Sequence, residues 1–198
     1  MPDSQRCPDW WRRSFRQNRP QSQRVRAGAI AALLVYSVFG CGDDGPTEPN
    51  TASLSDLFGT ELFRADGSQV GVGMLQSTSV IGIYFASPTC PACLAFSPVL
   101  LDAYNQLKTD GRSFEVILVV HGIGDASLLT FMTDSEMPWL AVSSESDKPT
   151  ALFQRFSVQW VPTLIIIDGN GTIKSLAGRE EITQAGAGAY DGWVATPR

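Results

Sequence analysis

Three runs dominated by apolar residues constrain this chain more than any other feature: VIGIYFA at 80–86, FEVILVV at 114–120 and TLIII at 163–167. Each has strand length, and strands without polar alternation belong in the middle of a sheet covered on both faces. Between the first two the pattern changes. From Cys90 onward Leu94, Val99, Leu100, Ala103, Tyr104 and Leu107 recur at three- and four-residue spacing, which predicts a helix despite Pro98. Further helices are expected over 125–133, with Asp125 as its cap, and over 149–156. A hairpin is expected around Asp66-Gly67, and a second where Asp168-Gly169-Asn170-Gly171 turns the third strand into 172–176. Strand, helix, strand, helix, hairpin describes an α/β fold: a mixed central sheet flanked by helices on both faces. The stretch 184–192 is too rich in glycine for its pattern to be read.

The chemistry sits where the first central strand meets the first long helix. Ser87-Pro88-Thr89-Cys90-Pro91-Ala92-Cys93 sets two thiols three residues apart, so that both project from one helix face within disulfide reach. Cys90 is expected at the helix start, where unpaired amides and the positive dipole end favour a thiolate. Cys93, one turn in, is expected to be more buried. That is the arrangement of an attacking thiol with a resolving partner, the residues Pro91 and Ala92 lying between them at the substrate. An inert structural disulfide is an alternative, although so short a bridge closes almost no loop. A metal site is another, although structural zinc needs two further ligands and the chain holds a single histidine, His121.

These residues resemble the thioredoxin superfamily and, within it, the tryparedoxin and nucleoredoxin branch. Four pieces carry the resemblance: Tyr84-Phe85-Ala86-Ser87 ahead of the CPAC motif, Ala95-Phe96-Ser97-Pro98, Met137-Pro138-Trp139-Leu140-Ala141, and Phe156 to Leu164 ahead of Asp168-Gly169-Asn170-Gly171. Their order and spacing agree over about residues 57–179. The resemblance implies a thioredoxin-like fold and a redox-active disulfide between Cys90 and Cys93, with no other cofactor and no metal. It implies that Pro162 is a cis proline facing the thiols and that the Val161 backbone pairs with a bound substrate. A proline opening a strand is compatible with this, since its missing amide breaks no ladder bond. Trp139 and Trp160 are expected at the border of the site, with Trp139 in contact with substrate. Three positions depart from the superfamily pattern. Thr89 replaces the usual tryptophan before the first cysteine, Leu94 replaces the usual basic residue after the second, and Tyr84 stands where thioredoxins bury an aspartate.

Charge divides the chain. Residues 1–40 carry seven arginines and two acids, which leaves eight cations against 18 carboxylates, a formal balance of −10, over 41–198. So acidic a body excludes nucleic acid as a partner, since phosphate neutralisation needs clustered cations. The basic segment leads into AGAIAALLVYSVFG at 27–40, which at 14 residues is too short to cross a bilayer as a helix. A basic region, a short apolar region and a small residue read as a secretory signal. Val38-Phe39-Gly40-Cys41 resembles the bacterial lipobox, in which the cysteine thiol is acylated, so residues 1–40 are expected to be a lipoprotein signal peptide and Cys41 the lipid attachment site. An uncleaved anchor and a plain signal peptide are the alternatives. Residues 41–53 read as an acidic tether, long enough at roughly 40 Å to hold a domain over 54–198 clear of lipid head groups.

The expectation is therefore an extracytoplasmic, membrane-anchored thiol–disulfide oxidoreductase, on the periplasmic face where a cell has an outer membrane. Its partners would be protein or small-molecule disulfides and a membrane or soluble thiol donor. Reduction is favoured over oxidation, because the Pro-Ala pair carries no histidine beside the thiols. The alternative is a non-enzymatic lipoprotein of the same fold that binds a metal or a redox partner. His121, just after the second strand, is expected in an exposed loop.

Overall fold

A computed structural model of the chain describes residues 53–195, all within the unit Thr51–Arg198. The expected signal peptide, Cys41 and most of the expected tether lie outside the described residues. In chain order the elements are α1 (Leu54–Phe58), β1 (Glu61–Phe63), β2 (Gln69–Gly71), a 3-10 turn (Val72–Ser77), β3 (Val80–Phe85), α2 (Pro91–Thr109) and β4 (Phe114–Val119). They continue with α3 (Asp125–Asp134), β5 (Leu140–Ala141), α4 (Lys148–Arg155), β6 (Thr163–Asp168), β7 (Ile173–Ser175), α5 (Gly178–Ala185), a 3-10 turn (Gly186–Gly188) and α6 (Ala189–Val194).

The seven strands form one mixed sheet in the order β2-β1-β5-β4-β3-β6-β7. The three apolar runs are its centre, as their composition requires. β3 runs parallel to β4 and antiparallel to β6. Because side chains alternate across a strand, each central strand feeds both layers. Val80 and Tyr84, Phe114, Val116 and Leu118, and Leu164 and Ile166 join one core cluster with Phe96 and Leu100 of α2 and Phe131 of α3. Phe85 points the other way and meets Phe153 of α4 edge-on at 4.8 Å. Helices therefore cover both faces, as the α/β pattern predicts.

The register of β3 against β6 positions the chemistry. Phe85 pairs with Thr163, so the end of β3 that feeds the CPAC segment lies beside the start of β6, where the chain leaves Val161-Pro162. The two segments, 71 residues apart, meet because one antiparallel pairing brings them together.

One local expectation changes, and the stretch whose pattern could not be read takes a defined form. Gly124, not Asp125, caps α3; Asp125 is the first helical residue. Its carboxylate accepts from the Ser144 amide at 2.7 Å and from the Ser143 and Ser144 hydroxyls at 2.9 Å each, so it ties α3 to the segment after β5 instead. The glycine-rich stretch after residue 184 is largely helical. Trp193 of α6 stacks on Phe114 at 5.8 Å and its indole N–H donates to Glu181 at 2.6 Å, so tertiary anchors hold what propensity alone would not. Among the described residues no helix is long and apolar enough to cross a membrane.

Candidate active site

Cys90 is the N-cap of α2, in an extended conformation, with Pro91 as the first helical residue. Proline there is favoured because its fixed φ suits a helix and the amide it lacks would have had no intrahelical partner. The Cys90 amide donates to the Ser87 carbonyl at 3.2 Å, and its own carbonyl accepts from Cys93 at 3.0 Å and Leu94 at 3.1 Å. The thiol is partly exposed and donates to the Val161 carbonyl at 3.6 Å. Cys93 is buried. Their unequal accessibility follows from their positions, one at the mouth of the helix and the other a turn inside it.

Of the residues expected around the thiols, Pro91 is exposed and Ala92 half-buried within the same turn, and Val161 is half-buried against Cys90. The Val161-Pro162 peptide bond is cis, and Pro162 is buried. Trp139 does not border the site. It is 1% exposed, packed edge-on against Tyr84 at 6.4 Å and Tyr104 at 5.6 Å, so it belongs to the core beneath the thiols and cannot touch substrate from there. Trp160, beside Val161, is 51% exposed, and Leu94 of α2 is 50% exposed. An exposed apolar residue therefore stands on each of the two segments that meet at Cys90, beside the exposed polar residues Thr89 and Gln159.

Below Cys93 lies a polar cluster that the sequence pattern did not reveal. The Tyr84 hydroxyl donates to the Cys93 carbonyl at 3.2 Å, the Ser97 hydroxyl donates to the same carbonyl at 3.0 Å, and the two hydroxyls are 3.1 Å apart. Burial, and secondarily the negative charge a neighbouring thiolate would carry, raise the Tyr84 phenol above its ordinary range, so it stays protonated and available as a donor. The readable signal was a serine four residues after Cys93, on the face of an apolar helix that carries the buried positions.

His121 also departs from expectation. It is half-buried, its Nε2 sits 3.0 Å from the Thr150 hydroxyl, and its ring lies edge-on to Phe153. Desolvation lowers its pKa below the ordinary value. Among the described residues no group of three or more His, Cys, Asp or Glu is placed to hold a metal ion.

A central mixed sheet, a CxxC at the mouth of a helix and a cis proline opposite it are now together. Residues 78–173 match the family described as thioredoxin-like. The fold is thioredoxin-like. Cow nucleoredoxin is 33% identical over 122 residues, 61% of this chain and 27% of the cow protein, and the rice probable nucleoredoxin 2 is 36% identical over 113 residues. This chain thus spans about a quarter of the length of those relatives. Among solved structures, tryparedoxin from Trypanosoma brucei superposes with a TM-score of 0.60 at 28% identity, covering 68% of this chain and 91% of that one. Thioredoxin from Wuchereria bancrofti superposes with a TM-score of 0.59 at 26% identity, covering 65% and 88%. The domain is accordingly similar in sequence to nucleoredoxins and in structure to tryparedoxins.

Proposed function

We propose that this chain is a membrane-tethered, extracytoplasmic thiol–disulfide oxidoreductase that reduces disulfides through Cys90 and Cys93. The observation that carries the reading is the unequal pair: an accessible thiol at the helix mouth, against a backbone carbonyl of a facing loop, with a buried thiol one turn behind it. Cys90 as thiolate attacks one sulfur of a substrate disulfide, forms a mixed disulfide and releases the other half as a thiolate. Cys93, once deprotonated, attacks the Cys90 sulfur, releases the second half and closes the Cys90–Cys93 disulfide. Two electrons pass to the substrate, and a dithiol donor restores the pair. The half-exposed Leu94 and Trp160 favour disulfides flanked by apolar residues, because ordered apolar surface beside the sulfur is buried on docking. The tether rests on the sequence, on Gly40-Cys41 after a short apolar run.

The test of the chemistry is insulin reduction driven by dithiothreitol. Turnover by the wild-type chain, its loss in Cys90→Ser, and a trapped mixed disulfide in Cys93→Ser are expected. Stoichiometric metal uptake without turnover would replace the enzyme by a binding protein. Mass spectrometry of the membrane fraction tests the tether: an acylated Cys41 at the mature amino terminus is expected, and an intact residue 1 or an unmodified Cys41 refutes it.

A further inference from the structure

We propose that Ser97 and Tyr84 are positioning residues for the second step of exchange, holding the turn that carries Cys93 so that its thiol can reach Cys90. The proposal rests on the dithiol reading above and adds to it which groups set the resolving step.

Ser97 is 1% exposed and is the one buried residue of polar type among the described residues. A hydroxyl taken out of water costs stability unless it is hydrogen-bonded, so a serine in an otherwise apolar core is held by its partners. Those partners are the Cys93 carbonyl and the Tyr84 hydroxyl, and the Tyr84 hydroxyl reaches the same carbonyl. The two hydroxyls have two protons between them for three contacts. At any moment two contacts are hydrogen bonds, and in every arrangement at least one of them ends on the Cys93 carbonyl.

That carbonyl lies in the weakest part of α2. Pro98 has no amide, so the Leu94 carbonyl loses its usual donor four residues on, and the ring presses against the same turn. A serine bonding back to the carbonyl four residues earlier bends a helix further. The turn from 93 to 98 is thus loosened from within and tied from outside, since Tyr84 belongs to β3 at the centre of the sheet. Cys90 has contacts outside that cluster, its amide to Ser87 and its thiol to Val161, while its carbonyl accepts from the Cys93 and Leu94 amides. The first step of exchange uses only Cys90, whereas the second needs the Cys93 sulfur brought to bonding distance of Cys90, and intramolecular attack is steeply sensitive to such placement. The pair therefore acts on the second step and not on the first.

Reaction with the aromatic disulfide dithiobis(nitrobenzoate) separates the steps. Cys90 releases one coloured thiolate on forming the mixed disulfide, and Cys93 releases a second on resolving it. The measurement is made on the full chain with Cys7→Ser and Cys41→Ser throughout, so that only these two thiols react. Ser97→Ala is expected to slow the second phase roughly 10-fold or more and the first less than twofold. Ser97→Thr, which keeps a hydroxyl, is expected to restore it. Tyr84→Phe should slow the same phase, and the double variant should be less than additive, because the groups share one acceptor. An unchanged second phase in folded Ser97→Ala, an equal slowing of both phases, or no recovery in folded Ser97→Thr overturns the proposal. Should Ser97→Ala not fold, Tyr84→Phe decides alone, and an unchanged second phase again overturns it. The underlying reading fails by a different sign: a parent chain that releases only one thiolate per molecule.

Discussion

At the scale of single residues, burial decides what each side chain can do, and it separates two tryptophans that composition treats alike. Trp139 is sealed in the core with an indole N–H that has no hydrogen-bond partner among the described residues. A buried donor without a partner costs about 1–3 kcal/mol. Trp139→Phe removes it while keeping most of the ring, so the variant is expected within about 1 kcal/mol of wild type, against a loss of about 3–5 kcal/mol for Trp139→Ala. Urea unfolding of both variants checks this, and equal losses would mean that the N–H is satisfied in solution. His121 gives a pH dependence. Burial lowers its folded pKa below the ordinary 6.5, so the unfolded chain binds the proton more readily. The contribution of His121 is complete above about pH 6.5 and is lost as pH falls through the lower folded value. Thermal unfolding followed from pH 7.5 to 5 should show His121→Gln less acid-sensitive than wild type; parallel profiles would refute the assignment.

At the scale of elements, legibility tracks how much of the structural signal is local. β3, β4 and β6 were readable because a strand covered on both faces must be apolar along its length, and α2 because its buried positions repeat with the helix. β5 was not, since two residues carry no period; Leu140 and Ala141 become a strand only through Ile117 and Leu118 of β4 and Phe63 of β1. The helical identity of 189–194 was hidden by Gly192 and the glycines at 186 and 188 just before it, and is supplied by Tyr190 and Trp193, whose partners lie far away in sequence. At the site, the CPAC thiols were legible from their spacing, and Pro162 only through the resemblance to the thioredoxin superfamily. The Ser97–Tyr84 pair was not, because its members come from a helix and a strand whose contact is tertiary. α5 shows how close such contacts are. A Cβ on Gly178 would meet the Leu164 carbonyl at 2.8 Å and the Ile166 side chain at 2.9 Å, both on β6. Gly178→Ala should therefore push α5 from the sheet at a cost of about 1–3 kcal/mol, read as a lower urea midpoint. An unchanged midpoint would show that α5 can slide without loss.

At the scale of the whole molecule, stability and chemistry occupy opposite ends of one sheet. β3 and β4 pair from Val80 with Phe114 to Phe85 with Val119, a span of about 17 Å at the rise of an extended chain. Cys90 follows the Phe85 end. The carboxy-terminal helix closes the other: Trp193 stacks on Phe114, the Tyr190 hydroxyl donates to the Ser113 carbonyl, and Arg112 pairs with Asp191 at 3.3 Å across exposed side chains. The exposed ion pair adds little, so the two buried aromatics carry the closure. A chain ended after Gly188 loses both and uncovers Phe114, which should lower stability by about 3–5 kcal/mol, a large part of the roughly 5–15 kcal/mol that holds a typical domain. Glu181 keeps only its bond from Ser175, so α5 loses its link to the end of the chain as well. The thiols, more than a strand's length away, should react as before. Well below the unfolding midpoint, the truncated chain is expected to show both phases of thiolate release at wild-type rates, together with a clearly lower urea midpoint. Slower release from a still-folded truncated chain would show instead that α6 reaches the CPAC turn through α2, and that the two ends of the sheet are coupled.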